Sequence, residues 1–206
     1  MILVGQYDSP YTRRVAISLK LLGLEYEHDK RSVFGDFDSM RITNPLGRVP
    51  SLILDGGETL IDSAAILDWL DEKVGPERAL LPANGRARQR ALQLIALATG
   101  AFDKIGAANY ERLIRPPAFR WPAWIERSLT QGAGAIEALE HADWQTDGKI
   151  NQPMITIACM LDYVRLTDPG LTPPGKYKKL DSLLQRFDAL PAFMETSVSE
   201  YAVPRG

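Results

Sequence analysis

Ile2, Leu3 and Val4 form a short unbroken apolar run, the pattern of a buried strand. Residues 6–10 interrupt it. Ser9-Pro10 is a helix-start signal, because proline in a first turn lacks only an N–H that had no partner there. From Tyr11 the apolar positions Val15, Leu19 and Leu22 recur at helical spacing, and Gly23 closes the run with a residue suited to a left-handed cap. Leu24, Tyr26 and His28 alternate with Glu25, Glu27 and Asp29, which is strand periodicity. Strand, helix and strand in this order predict a right-handed crossover between parallel strands. Residues 31–43 scatter Phe34, Phe37, Met40 and Ile42 among glycine and aspartate, which predicts a loop with a short irregular helix. Residues 51–54 read as a strand, Asp55-Gly56-Gly57 as a hairpin turn, and residues 58–61 as the antiparallel partner. Ile66, Leu67, Leu70 and Val74 then mark one face of a helix stopped by Gly75-Pro76.

Beyond a linker at residues 78–85 the strand signal vanishes. Ala91, Leu94, Ile95, Ala98, Phe102 and Ile105 predict one long helix over 86–115, ended by Pro116-Pro117. Gly100 and Gly106 lie inside it, and a bend or a close helix approach is expected near them. A second helix is predicted over 122–142. Its Gly132-Ala133-Gly134 reads as small-residue packing; it follows no strand and so lacks the context of a dinucleotide fingerprint. Residues 154–166 are apolar on nearly all sides, as a central helix would be, and two short helices are expected over 180–190 and 191–199. The order in the first 78 residues is a thioredoxin-like α/β arrangement, and residues 85–206 read as an all-α helical bundle. The first region is small for an isolated core, so packing against the second is expected.

The net charge of −2 argues against nucleic acid or an anionic membrane as partner. Arg13-Arg14 and the trio Arg86, Arg88 and Arg90 are local basic spots, each expected to be a solvated helix face. The single cysteine, Cys159, excludes an internal disulfide framework and a cysteine-based metal site, and it is expected to be a buried small hydrophobe. His28 and His141 have no partners at ligand spacing, so no metal is expected. The apolar N-terminus is short, without a basic region or cleavage site, and no segment approaches the ~20 apolar residues of a membrane span. A cytoplasmic setting follows from these features.

The stretch 44–63 carries the chemistry. Asn44-Pro45-Leu46-Gly47-Arg48-Val49-Pro50 leads into a strand whose first position is proline, leaving nearby backbone groups to pair with something else. Asp62-Ser63 then places a carboxylate and a hydroxyl at a helix N-terminus, where backbone donors point outward. Together they suit a small peptide-like anion. With Ser9-Pro10-Tyr11-Thr12-Arg13-Arg14-Val15 before this stretch and Asp62-Ser63-Ala64-Ala65-Ile66 at its end, the whole chain resembles the cytosolic glutathione S-transferases, most nearly their bacterial serine-type members.

That resemblance implies a glutathione S-transferase fold, a cis peptide at Val49-Pro50, and glutathione as co-substrate. The Val49 backbone would pair with the cysteinyl part, Asp62 and Ser63 would hold the γ-glutamyl end, and Ser9 would face the sulfur. A hydroxyl at a helix N-terminus favours a bound thiolate over the thiol, and each unit of pKa lowering is about 1.36 kcal/mol of such preference. The thiolate would attack a small electrophile. Ser9 acts here as donor, since nothing near it forms a hydrolase triad. Serine in place of the first cysteine of Cys-x-x-Cys excludes dithiol chemistry. Tyr7 competes with Ser9 for the sulfur. For the glycyl carboxylate, Arg48, Arg13 and Arg41 are candidates. An electrophile pocket between the domains, lined from Tyr11, Phe34, Phe102, Tyr110 and Trp121, is expected. Thr156 is expected to cap the helix containing it, without the returning carboxylate of a capping box. The resemblance further implies a homodimer built on the helix from Arg86 and the last helix of the first domain. Other functions open on the same fold are glutathione binding without turnover, peroxide reduction and isomerisation.

Overall fold

A computed structural model of the chain describes residues 1–144 and 148–198. The strands are β1 (Ile2–Val4), β2 (Glu27–Asp29), β3 (Ser51–Ile53) and β4 (Thr59–Ile61). The helices are α1 (Pro10–Leu21), α2 (Phe37–Thr43), α3 (Ser63–Val74), α4 (Gly85–Leu113), α5 (Pro122–His141), α6 (Gln152–Thr167), α7 (Lys178–Asp188) and α8 (Pro191–Met194). The described residues form two compact units, 1–85 with 189–198, and 86–188.

In the first unit the sheet order is β2-β1-β3-β4. β1 runs parallel to β2, as a crossover through α1 requires, and antiparallel to β3; β3 and β4 form the hairpin. The buried cluster draws Leu3 from β1, Val15, Ala16 and Leu19 from α1, Leu52 from β3, and Ile66, Leu67 and Leu70 from α3. These are the positions that the helical and strand periods place on one face. The irregular stretch contains α2, held by Arg31, which pairs with Asp29 and donates to the Ser39 carbonyl and to Thr43 Oγ1.

The first unit also includes the segment from Ala189, which sequence reading kept with the helical domain. Arg13 ties that segment to α1. Arg13 is 2% exposed, and its guanidinium lies 3.9 Å from the centre of the Phe193 ring and donates to the Phe193 carbonyl and Thr196 Oγ1. Lys20 pairs with Glu195 at 2.5 Å. Arg13 and Arg14, expected on a solvated face, are both buried. The predicted helix over 191–199 is four residues long, and its last position lies outside the described residues.

In the second unit α6 is buried on nearly every side, Cys159 included. Its N-cap is Asn151, whose Oδ1 accepts from the Met154 N–H. Thr156 therefore lies inside the helix and does not cap it; its hydroxyl donates to the Gln152 carbonyl. The close helix approach falls near these glycines, at Ala101 and Ile105 between Gly100 and Gly106, and the helix that approaches does so at its small-residue stretch. A Cβ at Gly100 would meet nothing within 4 Å and one at Gly106 only ordinary contacts, whereas a Cβ at Gly132 of α5 would come within 2.6 Å of Ile105 of α4. Glu140 of α5 accepts from the Lys179 and Leu180 N–H groups at the start of α7, satisfying two donors that a helix terminus leaves open. By length and composition α4 could cross a membrane, contrary to the sequence reading, although Ala91, Leu94, Ala98, Ala101 and Ile105 of its apolar side are buried within the protein.

Candidate functional site

A cleft of about 330 Å³, measured to its open mouth, lies where β3 and α3 begin. Its wall is made of Tyr11, Asn44, Leu46, Arg48, Val49, Pro50, Ile61, Asp62 and Ser63. Thus the two halves of the 44–63 stretch, separated by a β-hairpin in sequence, meet in one site.

Asn44 shapes the near wall. It is 2% exposed; its Nδ2 donates to the Arg48 carbonyl and its Oδ1 accepts from the Leu46 N–H. These local bonds replace a regular ladder and turn the chain toward Val49. The Val49-Pro50 peptide is cis. Among the described residues, the Val49 N–H and C=O enter no backbone hydrogen bond. Behind Val49 lies Gly5, with φ of 127°, where a Cβ would sit 2.7 Å from both Val49 Cβ and Thr12 Oγ1. Only glycine permits this approach, which sets the first turn of α1 against the Val49 loop.

The far wall is the start of α3. Asp62 is its N-cap, with φ of 66°, and Oδ1 accepts from the Ala64 N–H at 2.9 Å. Ser63 follows, 1% exposed. Its Oγ accepts from Arg14 Nε at 3.2 Å and from Arg14 Nη2 at 2.7 Å. Arg14 is the site residue that sequence reading missed by assigning it to a solvated face. One signal was available: no carboxylate stands three or four residues from it on α1, as an exposed ion-paired face would carry.

Ser9 caps α1, and its Oγ accepts from the Thr12 N–H at 3.4 Å. It stands outside the cleft wall, but it opens the same turn whose Thr12 abuts Gly5 and Val49. Tyr7 points elsewhere. Its hydroxyl is 2.8 Å from that of Tyr26 and its ring stacks on His28 at 4.0 Å. Burial, with the Tyr7 hydrogen bond second, pushes the Tyr26 phenol well above its ordinary range.

Of the three arginines considered for a glycyl carboxylate, Arg48 lines the cleft. Arg13 is committed to the C-terminal segment, and Arg41 sits on exposed α2 near Asp38. The aromatics expected in an electrophile pocket divide between units. Tyr11 belongs to the cleft itself, and Phe34 is half-buried before α2. In the second unit Phe102 packs edge-on against Tyr163 at 4.6 Å, Tyr110 is exposed, and exposed Trp121 stacks on Trp124. Among the described residues no three His, Cys, Asp or Glu side chains gather as a metal site would need.

Residues 3–78 match the family model for the N-terminal domain of glutathione S-transferases. Maleylacetoacetate isomerase of Pseudomonas aeruginosa is 33% identical over 151 residues, covering 68% of this chain and 69% of that protein. The chain belongs to the glutathione S-transferase family. An uncharacterized GST-like protein of Escherichia coli, YibF, is 29% identical over 90% of this chain and 95% of its own length. Among solved structures, a glutathione transferase family member from Pseudomonas fluorescens Pf-5 with bound glutathione superposes with a TM-score of 0.86 at 30% identity, covering 97% of this chain and 99% of that one. The fold of this glutathione S-transferase family member is thus that of its relatives, a thioredoxin-like sheet unit and a helical unit.

Proposed function

We propose that this protein binds glutathione in the cleft between Val49 and Ser63 and stabilises its thiolate for attack on a small electrophilic carbon. One observation carries the reading. Unpaired backbone at Val49 and the Asp62-Ser63 helix start line the same cleft, so a peptide edge and a zwitterionic end can be held at once. Glutathione has both. Arg48 is assigned to the glycyl carboxylate. Ser9 is the thiolate donor, since the Tyr7 hydroxyl is engaged by Tyr26 and the Ser9 turn abuts Val49. On this reading the protein would be one of the serine-type members. Tyr11, which lines the glutathione cleft, is assigned to the electrophile side as well.

Ultraviolet titration of the bound thiol tests the role of Ser9. In Ser9→Ala the thiolate band should appear at higher pH, by about one to two units. The same variant loses an N-cap worth about 1 kcal/mol, to be read separately as a lower Tm. An unchanged thiol pKa would remove Ser9 from the mechanism.

A second reading is isomerisation, favoured by the 33% identity to a maleylacetoacetate isomerase. Reversible addition of the thiolate to an activated cis double bond, rotation, and expulsion of the thiolate would leave glutathione unconsumed. Assays on halogenated aromatics, activated alkenes, organic peroxides and cis-alkenoic keto acids separate transfer, peroxide reduction and isomerisation.

A further inference from the structure

We infer that Arg14 is a positioning residue that makes the Ser63 hydroxyl an obligate donor toward a carboxylate in the cleft, and so sets the polarity of the subsite that reads the α-carboxylate of a γ-glutamyl ligand. This rests on the glutathione reading given above. A hydroxyl offers one proton and two acceptor sites. At Ser63 both acceptor sites are taken by one guanidinium, through Nε at 3.2 Å and Nη2 at 2.7 Å. Arg14 has no acceptor capacity, so the Ser63 proton cannot return to it. That proton is the only polar valence left on the oxygen, and among the described residues no acceptor meets it. Ser63 lines the cleft, where the proton finds its outlet.

The geometry is rigid on both sides. Arg14 is 3% exposed and Ser63 1% exposed, and the guanidinium lies 5.5 Å from the centre of the Tyr11 ring, which also walls the cleft. The pair spans 49 residues of chain and ties α1 to the first residue of α3. A donor backed by a buried cation is thereby placed beside the Asp62 carboxylate, which only accepts. The two neighbours distinguish a carboxylate from an ammonium. An amino-acid end, carrying both, fits in one orientation only. A serine without Arg14 could turn its hydroxyl either way and would lose that discrimination.

Calorimetric affinities for two ligands test this. One is glutathione. The other is γ-aminobutyryl-cysteinylglycine, which is glutathione without the α-carboxylate of its γ-glutamyl end. Wild type should prefer glutathione about ten- to a hundredfold, the range of a hydrogen bond to a charged group. Arg14→Met and Ser63→Ala should each lose most of that preference while holding the truncated ligand within about twofold of wild type. The double variant should lose no more than the worse single one, since Arg14 acts through Ser63. Arg14→Lys keeps the buried cation without the fork and should fall between. It carries the test if circular dichroism finds Arg14→Met unfolded. Equal weakening of both ligands in the arginine variants would mean a merely structural role and overturn the inference, as would losses that multiply in the double variant. A wild type that binds both ligands equally well would overturn it while leaving glutathione binding intact. A wild type that binds neither would overturn the functional reading and this inference together.

Discussion

Asp62 shows how much one position can be asked to do. Its left-handed backbone, φ of 66°, is uncommon outside glycine and is maintained because Oδ1 closes on the Ala64 N–H. The same carboxylate is exposed at the cleft and free to accept from an ammonium. Asp62→Ala removes both functions. Glutathione affinity should fall roughly ten- to a hundredfold, while the lost cap lowers stability by about 1 kcal/mol, measured by calorimetry and thermal melting. Gly5 makes the opposite case, a residue whose lack of a side chain is the point. A Cβ there meets Val49 Cβ and Thr12 Oγ1 at 2.7 Å, and the backbone φ of 127° is strained for any other residue. Gly5→Ala should lower stability by about 1–3 kcal/mol in urea unfolding and weaken glutathione binding by displacing the Val49 loop.

At the scale of elements, the end of β1 and β2 opposite the hairpin is fastened by a small aromatic assembly. His28 Nε2 donates to the Gly5 carbonyl at 2.8 Å, the Tyr7 ring stacks on the imidazole, and the Tyr7 and Tyr26 hydroxyls meet. Burial holds the His28 pKa below its ordinary value of 6.5, with Lys30 contributing in the same direction and the Gly5 bond opposing. The unfolded chain therefore takes up a proton near pH 6.5, whereas the folded chain does so only at lower pH. Stability should be full above about pH 6.5 and decline from there as pH falls toward the folded value. His28→Gln, which can still donate to the Gly5 carbonyl, should flatten the decline between pH 7 and 5 in denaturant unfolding. The clasp of α8 on α1 through Arg13 and Lys20 adjoins this assembly, because Lys20 Nζ also lies 6.0 Å from the centre of the Tyr26 ring.

At the scale of the molecule, each unit has its own core and its own long-range ties. In the helical unit these are the Arg112–Asp168 pair at 2.5 Å, the Asn109–Tyr163 bond and the Glu140 cap on α7. We propose, from the family resemblance alone, a homodimer in which α3 and α4 take part. Sedimentation equilibrium at micromolar concentration should give twice the 22.9 kDa chain mass, and a single-chain mass would argue against that assembly.

Short-range physics was legible in the amino-acid sequence. The strand–helix–strand order, the hairpin at Asp55-Gly56-Gly57 and the stops at Gly23 and Gly75 depend on dihedral preferences and side-chain periods within a few residues. The Val49-Pro50 and Asp62-Ser63 segments, singled out by the sequence, line one cleft. What only tertiary packing decided was where charged and aromatic side chains end. Arg14 meets a partner 49 residues away and Arg13 one 180 away, so both are buried on a helix that locally reads as basic. The Tyr7 hydroxyl, a candidate for the sulfur, meets that of Tyr26, 19 residues on. A close helix approach near Gly100 and Gly106 was legible, but that Gly132 would be the residue to meet Ile105 depended on which face the neighbouring helix presents. The opening of α6 moved to Asn151 for a related reason: a cap is chosen by the geometry of the entering chain, and Thr156 lay one turn too late. Periodicity sets which residues share a face. The partner of that face is set by the packing of distant segments, which no local pattern records.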